Sequence, residues 1–325
     1  MAVVAVLGAG AWGTALAIQA ARAGGDVVLW ARDAGRARAI EAARANARLL
    51  PGATLPDAVR VTAELAAVAG AGFVLVAVPA QHLRALLAAL PAVTPPLVVA
   101  AKGVEAGTLL LPLEVIAALR PGTASGVLSG PNFAHEVAGG LPAAAVIASA
   151  DAALREAVAD RLGSPSFRLY GGDDPIGVQV GGAAKNVIAI AAGAVIGAGL
   201  GENARAALVT RGLAEMARLT LALGGRAETA AGLSGLGDLL LTTTGAGSRN
   251  TSLGLALGQG RALAAVLAER IGVTEGVATA PALVARAAAV GVELPICAAV
   301  ADLLAGRQTV SAAMARLLAR PRRPE

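Results

Sequence analysis

The chain has 325 residues, of which 56% are apolar and only 2% aromatic, and it carries a formal net charge of +5. That length suits two domains better than one core, at roughly 150 residues per domain. With scattered arginines and so few aromatic platforms, a nucleic-acid partner is not expected. Small phosphate-bearing ligands explain a basic balance equally well.

The first strand is predicted over Ala2 to Leu7. No basic segment precedes it, so no signal peptide is expected. It runs into Gly8-Ala9-Gly10-Ala11-Trp12-Gly13 and then an Ala-rich helix to about Ala23. A GxGxxG turn is a weak signal in a chain with 41 glycines. Between a strand and a helix of the first βαβ unit, however, it is the dinucleotide-binding fingerprint. Gly8 permits the tight turn, Gly10 lets the backbone approach a pyrophosphate, and Gly13 lets helix and strand pack closely. The helix N-terminus then offers free amides and its positive dipole end to the diphosphate.

The second strand, Asp26 to Trp30, ends in Ala31-Arg32-Asp33. Arg32 suits a 2′-phosphate, whereas Asp33 is either the ribose acid or a helix N-cap. NADPH is therefore favoured, with NADH tolerated. Further strands are predicted at Phe73 to Val78, Leu97 to Ala101, Gly126 to Leu128, Ala143 to Ile147 and Phe167 to Tyr170. Helical stretches lie between most of them, which makes βαβ units and a parallel-rich sheet. His82 either faces the cofactor or covers a loop. Lys102, in Ala101-Lys102-Gly103, puts an ammonium at the carboxyl edge of the sheet.

After Gly171-Gly172-Asp173-Asp174-Pro175 the strands stop. Helical segments are expected from Gly177 to Gly199, Asn203 to Leu223, Leu253 to Leu257, Ala262 to Glu269, Ala280 to Val290 and Ala298 to Leu304. The domains are thus 1–175, a Rossmann-type α/β unit, and 176–325, an all-α unit compatible with a homodimer. Lys185 sits early in the first long helix. Gly235-Leu236-Gly237-Asp238 and Gly247-Ser248-Arg249-Asn250 read as a polar loop between helices, although Ser, Asn and Asp are also helix caps.

Cys297 is the only cysteine, which excludes an internal disulfide and a thiolate cluster and suits a reducing cytoplasm. The two histidines, His82 and His135, lie far apart, and no metal is expected. Mean hydropathy is high, at +0.68. The uncharged run Asn186 to Gly201 is nevertheless shorter than the ~20 residues of a membrane span, and none is expected. The basic tail, Arg320 to Glu325, is expected to be merely solvated. Of 27 basic side chains only Lys102 and Lys185 are lysine. Arginine keeps its proton, whereas a desolvated lysine can trade one. The two lysines are either remnants of codon bias or functional ammonium groups.

The ordered motifs GAGAWGTALA (Gly8 to Ala17), AKG (Ala101 to Gly103), SGPNFAHEV (Ser129 to Val137) and VGGAAKNVIAIAAG (Val180 to Gly193) cover the first part of a wider pattern. ARAALVTRGLAEM (Ala204 to Met216), GLSGLGDLLLT (Gly232 to Thr242), SRN (Ser248 to Asn250) and VTEGV (Val273 to Val277) complete it. Over essentially its whole length the chain resembles the bacterial NAD(P)-dependent glycerol-3-phosphate dehydrogenases. The resemblance implies reversible hydride transfer between NAD(P)H and dihydroxyacetone phosphate, a phosphorylated triose, giving sn-glycerol 3-phosphate for phospholipid synthesis. It makes Lys185 the proton donor, Asp238 the carboxylate beside it, and Lys102 the lysine between cofactor and substrate. Gly130, Asn132, Ser248, Arg249 and Asn250 match substrate contacts. Ala11, Trp12, Arg32, Ala134, Arg249, Val273 and Glu275 match cofactor contacts. Both lysines thus fall on functional positions, against codon bias. Asn132 and His135 depart from the family, which usually has Ser or Thr and Lys there. Rival readings are another polyol or β-hydroxyacid reductase, such as a ketopantoate reductase, disfavoured by the SRN and GLGD blocks, and a non-catalytic NAD(P) sensor, disfavoured by Lys185 and Asp238. A nucleotide-sugar dehydrogenase would want a catalytic cysteine, and Cys297 reads as core.

Overall fold

The computed structural model describes residues 3–92, 94–245 and 247–321. The chain opens with β1 (Val3–Leu7), α1 (Ala11–Arg22), β2 (Val27–Trp30) and α2 (Ala34–Ala43). Next come β3 (Val59–Thr62), β4 (Ala71–Val76), α3 (Leu83–Ala89), β5 (Leu97–Val99), α4 (Pro112–Leu119) and β6 (Ser125–Ser129). Then follow α5 (Ala134–Gly139), β7 (Ala143–Ala148), α6 (Ala152–Leu162) and β8 (Phe167–Gly172). All join one eight-stranded sheet in the order β3-β2-β1-β4-β5-β6-β7-β8, parallel except for the β6–β7 pair.

Burial on both faces explains the continuous apolar strands. In β1, Val4 and Val6 pack on one side of the sheet with α1, while Ala5 and Leu7 pack on the other with α3 and α4. The strand order reverses between β1 and β4, and the crevice at their carboxyl ends is where such sheets bind dinucleotides. The expectation missed β3 altogether. Strand β3 is a four-residue edge strand, VRVT, whose Arg60 is exposed, so it carries only a short apolar signal.

The helical half comprises α7 (Pro175–Gly197), α8 (Gly201–Ala222), α9 (Asp238–Thr244), α10 (Arg249–Gly258), α11 (Leu263–Ala268), α12 (Glu275–Ala289), α13 (Pro295–Leu304) and α14 (Val310–Leu318). Three corrections follow. Asp238 does not lie in a loop but starts α9, directly after a π-helical turn over Leu233–Gly237. The short helix α14 was not expected. In the tail, exposed Arg320 pairs with Glu293 at 2.7 Å and is not merely solvated, and residues 322–325 lie outside the described residues.

Helix α7 is the axis of this half. By length and composition it could cross a membrane, so the objection that the apolar run is too short does not hold for the helix as formed. Its most apolar window is 89% buried inside the fold, wrapped by α8, α9, α10, α12 and α13. Its contact with α10 is backbone against backbone. A Cβ on Gly193 or Gly197 would run into the carbonyls of Thr251 or Leu255, and one on Gly254 or Gly258 into those of Ile190 or Ala194. Glycines four apart on each helix thus form one interleaved stripe. Cys297 is wholly buried beside Glu215, and burial pushes its thiol well above the usual range.

Gly254→Ala should therefore destabilise the protein by about 1–3 kcal/mol, the usual cost of overpacking. Gly139→Ala, where a methyl meets nothing within 4 Å, should leave stability unchanged or higher. Thermal unfolding of the two variants checks this, and equal midpoints would remove the stripe's assigned importance.

Candidate active site

The glycine turn is built as its spacing requires. Gly8 has φ +114, and a Cβ there would lie 2.9 Å from the Ala77 carbonyl oxygen, where β4 ends. A Cβ on Gly13 would strike the Gly8 carbonyl. Gly10, in contrast, faces open space, and as N-cap of α1 it supplies no side-chain cap. Ala11 and Trp12 open the helix, and the indole N–H of Trp12 is buried with no partner among the described residues. Uncapped amides, an open approach at Gly10 and an orphan donor fit a dinucleotide diphosphate with its attached groups.

Two side chains that carried no sequence signal brace this turn. Asn46 donates to the Ala9 carbonyl at 3.1 Å and to Thr14 Oγ1 at 2.8 Å. Arg36 donates to the same Ala9 carbonyl and, at 3.3 Å, to Asn46 Oδ1. Burial, and then the neighbouring Arg48, lower the Arg36 pKa. Asp33 caps α2, accepting from Arg36 N at 2.6 Å, as the cap reading expects. Arg32 is exposed and makes no hydrogen bond or ion pair among the described residues. His82 is exposed at the start of α3 and makes no side-chain cap.

Three charged side chains meet where the two halves join. Lys102, beyond the end of β5, donates to Asp238 Oδ2 at 2.6 Å and to the Gly130 carbonyl at 3.3 Å. Lys185, on α7, donates to Asp238 Oδ1 at 2.9 Å and to Thr242 Oγ1 at 2.8 Å. Asp238 is 1% exposed and Lys185 8% exposed, so both are removed from water, while Lys102 is half-buried. Burial lowers the Lys185 pKa and Lys102 lowers it further, while Asp238 opposes them; the net value is below the ordinary lysine range. For Asp238 burial acts upward, but the two lysines outweigh it and hold the carboxyl below its usual range. Formally, two lysines share one carboxylate, with one positive charge in excess. An ammonium has three donors, and the bonds above use two on each lysine, leaving a third N–H on each for a ligand. Thr242 sits four residues after Asp238 on α9; reading this segment as a loop concealed it.

The remaining candidate residues surround this centre. Gly130 and Asn132 follow β6, and Asn132 donates to the Ala144 carbonyl at 3.0 Å while its buried Oδ1 has no partner among the described residues. Ala134 opens α5, beside an exposed His135 stacked on Phe133 at 5.7 Å. Ser248, expected in a loop, caps α10 by accepting from Thr251 N at 3.1 Å. Asn250 is buried, donating to Asn186 Oδ1 at 2.9 Å and accepting from Gly276 N at 3.2 Å, so its amide ties α7, α10 and α12 together. Arg249 begins α10, exposed, with no side-chain hydrogen bond or ion pair among the described residues; a Cβ on Gly272 would lie 2.9 Å from its Nη1. Val273 is exposed. Glu275 begins α12 and accepts from Ala80 N at 3.3 Å, joining the helical half to the loop after β4. Burial pushes its carboxyl upward. Lys102, Lys185, Asp238 and Gly130 are therefore in direct contact, whereas Arg32 and Arg249 are not bonded to them.

Known proteins match this arrangement along the whole chain. The model of the NAD-dependent glycerol-3-phosphate dehydrogenase N-terminus matches residues 3–155, and that of the C-terminus matches residues 174–315. Proteins named glycerol-3-phosphate dehydrogenase, with NAD(P)+ as cofactor, are similar in Acidiphilium cryptum, at 57% identity over 99% of this chain and 98% of that one, and in Rhodospirillum rubrum, at 54% over 99% and 93%. The crystal structure of glycerol-3-phosphate dehydrogenase from Coxiella burnetii superposes with a TM-score of 0.94 at 36% identity, over 98% of this chain and 99% of that one. A ketopantoate reductase from Ralstonia eutropha, at 20% identity and a TM-score of 0.58 over 96% and 99% of the two chains, shares the fold alone. The chain belongs to the NAD-dependent glycerol-3-phosphate dehydrogenase family.

Proposed function

We propose that the protein interconverts dihydroxyacetone phosphate and sn-glycerol 3-phosphate with NAD(P)H, in the cytoplasm and in the service of phospholipid synthesis. The observation that carries this reading is the trio in which Lys102 and the buried Lys185 meet the buried Asp238 at the carboxyl edge of the sheet. Residues 1–175 would hold the cofactor and residues 176–325 supply the proton donor. The Ala-rich helical half is compatible with a homodimer.

When bound, the reduced nicotinamide supplies the hydride. The protein's task is to manage the negative charge that then grows on the ketone oxygen. Lys185 meets it with an ammonium whose affinity for its proton burial has already weakened. It gives that proton to the oxygen during reduction and takes it back during oxidation. Asp238 and Thr242 fix the ammonium's direction, and Lys102 brings a second ammonium to the same carboxylate. Arg249, uncommitted at the start of α10, suits the substrate phosphate, since a planar guanidinium pairs with phosphate through two parallel bonds. The other matching positions, Gly8, Gly10, Ala11, Trp12, Gly13, Arg32, Ala134, Val273 and Glu275 for cofactor and Gly130, Asn132, Ser248 and Asn250 for substrate, keep the roles assigned by resemblance.

NADPH is the preferred cofactor in this reading. Arg32 is free, Arg36 stands against the glycine turn, and Arg48 adds its field, so the ribose side of the crevice is cationic. Asp33, beside Arg36, is engaged as a cap.

Lys185→Arg retains the charge and removes the exchangeable proton. Turnover of dihydroxyacetone phosphate should fall by about 100-fold or more, with NADPH affinity, measured by fluorescence, nearly unchanged. Near-native turnover would assign the proton to another group. Arg32→Ala should lower kcat/KM about tenfold for NADPH, the worth of one hydrogen bond to a charged group, and leave NADH unaffected. Arg36→Ala should weaken both cofactors, because it also braces Ala9. Steady-state kinetics with each cofactor decide, and an equal loss in Arg32→Ala would remove the NADPH assignment.

A further inference from the structure

Ser129 closes β6 and is 3% exposed, yet its hydroxyl has no hydrogen-bond partner among the described residues. Buried hydroxyls are ordinarily paired, so an orphan beside a reactive centre marks a place reserved for a ligand. The alternation of the strand fixes its direction. Val127, two residues earlier, packs against Val178 of α7, and Ser129 therefore faces α7 as well. Four residues after Val178 comes Gly182, and a Cβ there would lie 3.4 Å from Ser129 Oγ and 3.3 Å from Lys102 Cγ. The Ser129 hydroxyl and the Lys102 stem thus lie side by side against the turn of α7 that leads to Lys185. Its chain neighbour Gly130 accepts from Lys102 Nζ. Gly182 leaves just enough room, since any side chain there would crowd both.

On the proposed reading of the site, the substrate brings three polar functions. Its carbonyl falls to the ammonium groups, and its phosphate to Arg249. The third, the free hydroxymethyl beside the carbonyl, is neutral and both donates and accepts. It calls for a neutral partner of the same kind close to the lysines, and Ser129 is such a group. We propose that Ser129 is a substrate-binding residue whose hydroxyl hydrogen-bonds the free hydroxymethyl group of dihydroxyacetone phosphate. It selects a hydroxyketone over a plain methyl ketone, because an unpaired hydroxyl would stay buried under the methyl group.

The test compares dihydroxyacetone phosphate with hydroxyacetone phosphate, which has a methyl group in place of that hydroxymethyl. Native protein and Ser129→Ala are assayed with both ketones, alongside NADPH affinity and thermal unfolding. With dihydroxyacetone phosphate, Ser129→Ala should lose about tenfold in kcat/KM. With hydroxyacetone phosphate it should change by less than about twofold, and NADPH affinity and the unfolding midpoint should not fall. Equal losses on both ketones, or no loss on either, would overturn the assignment while leaving the reading of the site intact. A native protein that reduces neither ketone would overturn both.

Discussion

The site turns on one buried carboxylate shared by two ammonium groups. Asp238 is almost wholly removed from water, and so is Lys185, and desolvating either alone would cost several kcal/mol. Each is tolerable because the other is there. Their geometry leaves nothing unpaired on Asp238: Lys102 takes one oxygen, and Lys185 and Thr242 take the other. The surplus positive charge is the chemical asset. It suits an anionic substrate and a reaction that puts negative charge on oxygen, in a medium where charge is poorly screened.

Holding these groups together requires unusually close backbone approaches, and glycines provide them. Lys185 rides on α7, and α7 is seated by the glycine stripe it shares with α10. On its other side Gly181 abuts the Ser234 carbonyl, with 2.8 Å left for a Cβ, at the π-turn that delivers Asp238. Gly182 admits the Lys102 stem. The same economy recurs at the cofactor turn, where Gly8 and Gly13 close on Ala77 and on each other, and Gly10 stays open. Larger residues at these positions would separate the sheet edge from α7, and with it Lys102 from Lys185.

Much of this was legible before any coordinates. The β1–glycine turn–α1 unit reads directly because strand, turn and helix each carry their own signal, and the run of apolar strands declares a sheet buried on both faces. The isolation of two lysines among many arginines pointed to residues that the fold brings onto one carboxylate. What escaped was short, edge-bound or built by long-range contact. Strand β3 offers only two buried residues. Helix α9, DLLLTTT, lies between glycines and is rich in β-branched threonine, so local preference argued for a loop while packing against α7 made a helix. That misreading concealed Thr242. Arg36 and Asn46 brace Ala9 from 27 and 37 residues away, and no local pattern announces such bonds. Ser248 and Asn250, read as loop contacts, are also a helix cap and an interhelical tie, because polar side chains at helix ends are claimed first by the backbone and their neighbours.

The central claim is that Asp238 keeps a buried Lys185 protonated for the reaction, and the pH dependence of dihydroxyacetone phosphate reduction tests it most directly. Reduction needs the ammonium, so kcat/KM must fall as pH rises through the Lys185 pKa, which lies below the ordinary lysine range. Asp238→Asn preserves shape and removes the charge that opposes desolvation and Lys102. In that variant the alkaline fall should begin on the order of one pH unit or more lower than in the native protein. A fall at the same pH in both proteins would contradict the account, for Lys185 would then not be held protonated by this carboxylate.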